Sequence, residues 1–184
     1  KTSDEYAIDL QMLLAIHCVS SNQIEGAIIA SVVPQVLNPV KTALKKLFGK
    51  PVMVVGPGIK TGLNIRIDNP AQTGADLVVS CVAALKMQKP PLIVIGMGTA
   101  TTMMVLDETG AMIGGSISPG IRVSMDALTQ RAALLPGLQL DQPKRTIGRN
   151  TVECMRSGIL YGAASMLDGM IQRMEQELGT QATV

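Results

Sequence analysis

Four short stretches combine residue types that can do chemistry. In Gly96-Met-Gly-Thr-Ala-Thr-Thr102 a strand ends, two glycines turn the chain and hydroxyls follow. Glycines expose backbone N–H groups and threonine adds an O–H donor, so such a loop can hold a phosphate. The same residues also make an ordinary hairpin turn. No Gly-Lys-Ser/Thr follows, which excludes a Walker motif. Gly74-Ala-Asp76 stands at the mouth of a helix, where a carboxylate can act as general base toward a hydroxyl or simply face the helix dipole. Gly114-Gly-Ser-Ile-Ser-Pro-Gly120 allows a ligand or another chain to approach closely, or makes a tight strand-to-helix turn. Thr151 follows Gly148-Arg-Asn150, so either Asn150 or Thr151 can cap a helix there. His17 is the only histidine, and it has no acidic or cysteine neighbour at ligand spacing.

The elements that must position these residues alternate between strand and helix. Residues 3–18 read as a helix, capped by Ser3 or Asp4, with Ala7, Leu10, Leu13 and Leu14 as its apolar stripe. Residues 25–34 form a short apolar run, ending in Pro34, that reads as a buried strand. Leu37–Phe48 reads as an amphipathic helix stopped by Gly49, and 51–55 as a second buried strand. The polar, Gly- and Pro-rich stretch 56–74 breaks the pattern and places a lobe boundary there. The spacing then predicts a helix over 75–87, stopped by Pro90-Pro91. Strands follow over 92–95, 101–106 and 111–117, with turns at Gly96–Gly98 and Glu108–Gly110. Helices over 121–135 and 151–178 complete an α/β layer fold.

Composition narrows the functions. The 184 residues are 47% apolar and 16% charged, which excludes disorder. A net charge of +2 without a basic cluster argues against nucleic acid, and Phe48, Tyr6 and Tyr161 are too few and scattered to stack bases. No run is long enough to span a membrane. Cys18, Cys81 and Cys154 are odd in number and far apart, and read as buried small hydrophobes in a reducing cytosol. The chain opens without Met and without an apolar signal segment, and reads as beginning in mid-protein.

Taken in order, these pieces resemble the type III pantothenate kinase family. The resemblance runs through Ser31-Val-Val-Pro34, Gly56-Pro-Gly-Ile-Lys-Thr-Gly-Leu63, Asp68-Asn-Pro70, Gly74-Ala-Asp76, Gly98-Thr-Ala-Thr-Thr102, Gly114-Gly115, Pro119-Gly-Ile121, Leu135-Pro136 and Gly158-Ile-Leu-Tyr-Gly162. It implies a two-lobed actin-like, ribonuclease-H-like α/β fold. The lobes would be residues 1–70 and 71–184, each with a mixed sheet and flanking helices, the first hairpin and last strand being absent. It implies a cytoplasmic homodimer that phosphorylates pantothenate with ATP, magnesium and a monovalent cation, potassium or ammonium, in the first step of coenzyme A synthesis. By resemblance Asp76 is the general base, Gly74, Ala75, Asp76 and Thr151 meet pantothenate, and Gly98 and Thr99 meet ATP.

The sequence departs from the family at several of these places. Leu77 stands where the family has an Arg, Gly96 where it has the cation-binding Asp, and Ile67 where it has a substrate-touching Tyr. Met104 and Leu134 also replace polar or charged residues. The magnesium-binding first phosphate loop and a closing C-terminal segment are expected beyond the two ends. An Arg fork and a carboxylate supply charge-assisted contacts that Leu and Gly cannot. The chain as written is therefore expected to show no detectable kinase activity. The alternative is a non-catalytic homologue acting as a binding or interaction subunit.

Overall fold

The computed structural model describes residues 1–56, 59–132 and 134–184. They form two compact units, Lys1–Gly62 with Asn69–Val82, and Leu63–Asp68 with Ala83–Val184. The sequence reading puts its lobes at 1–70 and 71–184, whereas contacts divide the helix over 75–87 between the units. Pro57 and Gly58, in the expected lobe boundary, lie outside the described residues.

The first unit begins with α1 (Ser3–Ile16). Its cap is Thr2 rather than Ser3 or Asp4, because Thr2 and Glu5 complete a reciprocal capping box. Ala7, Leu10 and Leu14 are half-buried, but Leu13 is exposed. Helix α2 (Pro34–Phe48) packs on α1, with Lys46 Nζ 2.7 Å from Asp4 Oδ1. It starts three residues before the expected Leu37 because proline's fixed φ suits the first helical position. It ends as expected at Gly49, whose φ of 60° is left-handed. Strands β1 (Ala27–Ala30) and β2 (Val52–Val55) pair in parallel. The buried strand expected over 25–34 is shorter and one-sided. Ile28 and its partner Met53 are exposed together, since among the described residues this sheet has only two strands.

In the second unit β3 (Leu92–Met97), β4 (Ala100–Leu106) and β5 (Met112–Pro119) form an antiparallel meander. Two parallel bridges, Ile65 to Met112 and Leu92 to Thr183, extend it, so the sheet is mixed in direction. The strap 63–68 is held there by Arg66 N–H donating to Met112 O and Met112 N–H donating to Asn64 O, both at 2.8 Å. Helix α3 (Ala75–Met87) has the expected bounds. Helix α4 (Ile121–Arg131) is shorter than the expected 121–135, and α5 (Thr151–Leu178) runs as expected. The core is Ile93, Met103 and Val105, covered by Leu167, Ile171 and Met174 of α5. That burial, worth roughly 1.5–3 kcal/mol for each large apolar side chain, ties the hairpin loops to a rigid platform.

Candidate active site

The acidic corner is built by the chain entering α3. A single 3-10 turn at Pro70–Gln72 precedes it, closed by Thr73 N–H donating to Pro70 O at 3.2 Å. Val78 N–H then donates to Gly74 O, also at 3.2 Å. Asp76 lies in the first helical turn and is exposed, so its carboxylate meets solvent at the positive end of the helix dipole. That carboxylate folds back over Gly74. A Cβ on Gly74 would run into Asp76 Oδ1 and lie 3.2 Å from Cγ1 of Val32. A side chain at position 74 would have to displace the Asp76 carboxylate and crowd Val32, so glycine leaves that carboxylate its room. Leu77 is half-buried on the same helix. Thr73, just before the helix, carries a buried Oγ1 with no hydrogen-bond partner among the described residues. No sequence signal marks that hydroxyl.

The Gly96–Gly98 turn expected from sequence is placed differently. Gly96 and Met97 belong to β3, and the tight turn is Gly98-Thr99. Cross-strand pairing of Gly96 with Thr102 and Met97 with Thr101 holds the first glycine in the ladder. Gly98 and Thr99 are exposed at the hairpin tip. Gly98 N–H donates to Ala100 O and Gly120 N–H to Thr99 O, both at 3.0 Å. Gly120 is pressed against this tip. A Cβ on it would strike Gly98 O and lie 2.7 Å from Thr99 O. The Gly114–Gly120 stretch therefore acts through its last glycine as a brace for the loop that presents Thr99.

At the start of α5 the alternatives resolve. Asn150 is the cap, its Oδ1 accepting from Glu153 N–H at 2.9 Å, while the Glu153 carboxylate accepts from Arg149 N–H at 3.0 Å. That backbone N–H, chiefly, holds the Glu153 carboxyl below its ordinary value. Thr151 is thus released from capping and exposed. It lines a groove of about 700 Å³ between α4 and α5, with Ser124, Leu128, Cys154, Ile159 and Met166. The groove is apolar apart from a few hydroxyls, which suits a small ligand's aliphatic part or a second apolar surface. His17 ends α1 as its C-terminal cap residue.

A family profile described as type III pantothenate kinase matches residues 1–173. This chain belongs to the type III pantothenate kinase family. Type III pantothenate kinases of an Exiguobacterium species and of Moorella thermoacetica are 45% and 43% identical to it over 184 residues, covering all of this chain and 72% of each relative. That of Bacillus cytotoxicus is 42% identical, with 70% of its length covered. The parallel and antiparallel sheets with five α-helices agree with the actin-like fold of type III pantothenate kinases.

The family positions fall into two groups. Gly74, Ala75 and Asp76 stand together in the first unit; Gly98 and Thr99 on the hairpin, and Thr151 on α5, belong to the second. Cys81 is buried, and burial pushes its thiol up to about 11. Cys18 and Cys154 are exposed, contrary to the buried reading, because one follows the end of α1 and the other opens onto the α4–α5 groove. Among the described residues no helix is long and apolar enough to cross a membrane.

Proposed function

We infer that this chain serves ATP-dependent phosphorylation of pantothenate to 4'-phosphopantothenate, the first step of coenzyme A synthesis. The observation that carries the reading is Asp76, exposed at the head of α3 in a chain matched to the family over residues 1–173. Its carboxylate accepts the proton of the substrate's primary hydroxyl. The hydroxyl oxygen bonds to the γ-phosphorus of ATP as the bond to the ADP oxygen breaks. Gly74 and Ala75 flank the substrate beside Asp76, Thr151 offers it a hydroxyl, and Gly98 and Thr99 meet the nucleotide. Magnesium supplies charge neutralisation at the phosphates in such transfers. Among the described residues no three His, Cys, Asp or Glu side chains gather to hold a metal, so no residue here is assigned to it.

Turnover is where this chain is weakened. Leu77, Gly96 and Ile67 replace an Arg, an Asp and a Tyr, and one lost electrostatic stabiliser typically costs about 10²–10³ in rate. Ligand binding without detectable turnover is the expected behaviour of the 184 residues. Isothermal titration with pantothenate, then with MgATP, tests the binding; a phosphopantothenate assay tests the rate. No heat with either ligand from a folded sample refutes the kinase reading, and measurable phosphopantothenate formation refutes the weakening.

The same reading makes the protein a cytoplasmic homodimer joined at the α4–α5 groove, supported by that groove's apolar lining, of which Leu128 is exposed. A monomer in light scattering at high concentration would count against this. The groove also favours a second reading, a non-catalytic interaction subunit, which predicts protein association without ligand heat.

A further inference from the structure

We propose that nucleotide binding by this chain is independent of potassium and other monovalent cations, because the hairpin face at Gly96 offers no anionic oxygen. The proposal rests on the kinase reading above for the nucleotide, but on the sheet itself for the cation. Strands β3, β4 and β5 read Leu-Ile-Val-Ile-Gly-Met, Ala-Thr-Thr-Met-Met-Val-Leu and Met-Ile-Gly-Gly-Ser-Ile-Ser-Pro. Not one ionisable side chain lies among them.

Register puts Gly96 directly opposite Thr102, and Thr102 opposite Ile117. Directly opposed residues share a face of the sheet, so these three form one row. Ile117 is 71% exposed, so the row opens to solvent. The row supplies a single hydroxyl and no carboxylate. That hydroxyl also takes up the room a carboxylate stem would need, since a Cβ on Gly96 would lie 2.8 Å from Thr102 Oγ1. The neighbouring rows on this face hold Val94, Met104 and Gly115, and Ala100 and Pro119, which add no charge. The nearest acid along β4 is Asp107, roughly 17 Å from Thr102 at about 3.3 Å per residue. It is occupied by Thr109, Ala111 and Arg66. A monovalent cation needs several oxygens to replace its hydration shell, and desolvating one onto a lone hydroxyl with no carboxylate beside it leaves its charge unmatched. The cation implied by family resemblance does not fit this face.

Thallous ion, a spectroscopic stand-in for potassium, gives the direct test. Thallium-205 NMR of the full chain, with and without MgATP, is expected to show no saturable, potassium-displaceable signal change. Gly96→Asp, in which the Thr102 hydroxyl rotates away from the new side chain, is expected to create one. In parallel, MgATP affinity is expected to agree within twofold between potassium and tetramethylammonium chloride at matched ionic strength. A saturable thallous site in the unaltered chain, or a MgATP affinity raised tenfold by potassium, overturns the proposal. Should MgATP bind in neither medium, the thallium result alone decides the cation, and the kinase reading falls only if pantothenate gives no heat either.

Discussion

Replacing Gly120 with alanine tests whether this residue braces the Gly98-Thr99 loop proposed to meet the nucleotide. Gly120 has φ −67° and ψ 163°, which any residue adopts, so the demand for glycine is purely spatial. Its missing Cβ faces three backbone atoms: Gly98 O, Thr99 O at 2.7 Å and Thr99 C at 3.0 Å. Backbone cannot rotate away as a side-chain tip can, so the Gly98-Thr99 turn must move. Overpacking of this kind typically costs about 1–3 kcal/mol. The Gly120 N–H bond to Thr99 O, 3.0 Å long, is stretched in the same movement and adds about 1 kcal/mol. Gly120→Ala should therefore lose about 2–4 kcal/mol in urea denaturation. MgATP affinity should fall more than tenfold, because Thr99 no longer sits where the β3–β4 hairpin presents it. Gly158→Ala is the control. Nothing lies within 4 Å of a Cβ there, and mid-helix glycine costs about 1 kcal/mol against alanine. That variant should gain stability and bind MgATP unchanged. A Gly120→Ala protein as stable as the parent, with equal MgATP affinity, would refute the brace.

Thr73→Val removes a buried hydroxyl that lacks a partner among the described residues. Since an unpaired buried polar group costs about 1–3 kcal/mol, the valine protein should melt at a higher temperature, and a lower melting point would show that Thr73 Oγ1 is satisfied. Asp107→Asn probes the β4–β5 turn, where Oδ1 accepts from the Thr109 hydroxyl at 2.6 Å and from the Thr109 and Ala111 N–H groups, both at 2.9 Å. The Thr109 hydroxyl is the main cause holding this carboxyl below its ordinary value. A depressed carboxyl stabilises the fold above its unfolded value, roughly pH 4, and that stability is lost as pH falls through the folded value. The stability gap between parent and Asp107→Asn should be widest near pH 7 and shrink below about pH 4; a gap independent of pH would contradict the assignment.

Most element positions were legible because each carries a local signature. Gly49 stops α2 with a left-handed φ, and the 75–87 and 151–178 helices emerge at their expected bounds. Errors arise where tertiary contacts decide. Gly96 reads as a turn residue, yet the ladder to Thr102 keeps it in a strand. The run 25–34 reads as a buried strand, yet β1 has one strand neighbour among the described residues, which leaves Ile28 exposed. In the candidate site, Asp76 and Thr151 are visible as residue types near helix starts. The reasons Gly74 and Gly120 are glycines are not, because both depend on atoms that the sequence does not place: the Asp76 carboxylate in one case, the Thr99 carbonyl in the other.

The substituted positions differ in how easily their chemistry could return. Leu77 is half-buried on α3, so an arginine there can lay its aliphatic stem along the same surface and carry its guanidinium to solvent beside Asp76. Leu77→Arg should therefore fold. If turnover is limited by the missing guanidinium, it should recover part of the roughly 10²–10³ loss assigned to one absent stabiliser. Gly96→Asp faces a narrower passage, because Thr102 Oγ1 must first turn aside. Both changes lie away from the packing of Ile93, Met103 and Val105 on α5 that holds the second unit together. The scaffold thus does not need the site charges in order to fold. That separation lets a chain of this family keep 45% identity to a relative while positions at the candidate site vary. Turnover by Leu77→Arg equal to that of the parent, with pantothenate binding intact, would place the missing rate elsewhere than at position 77.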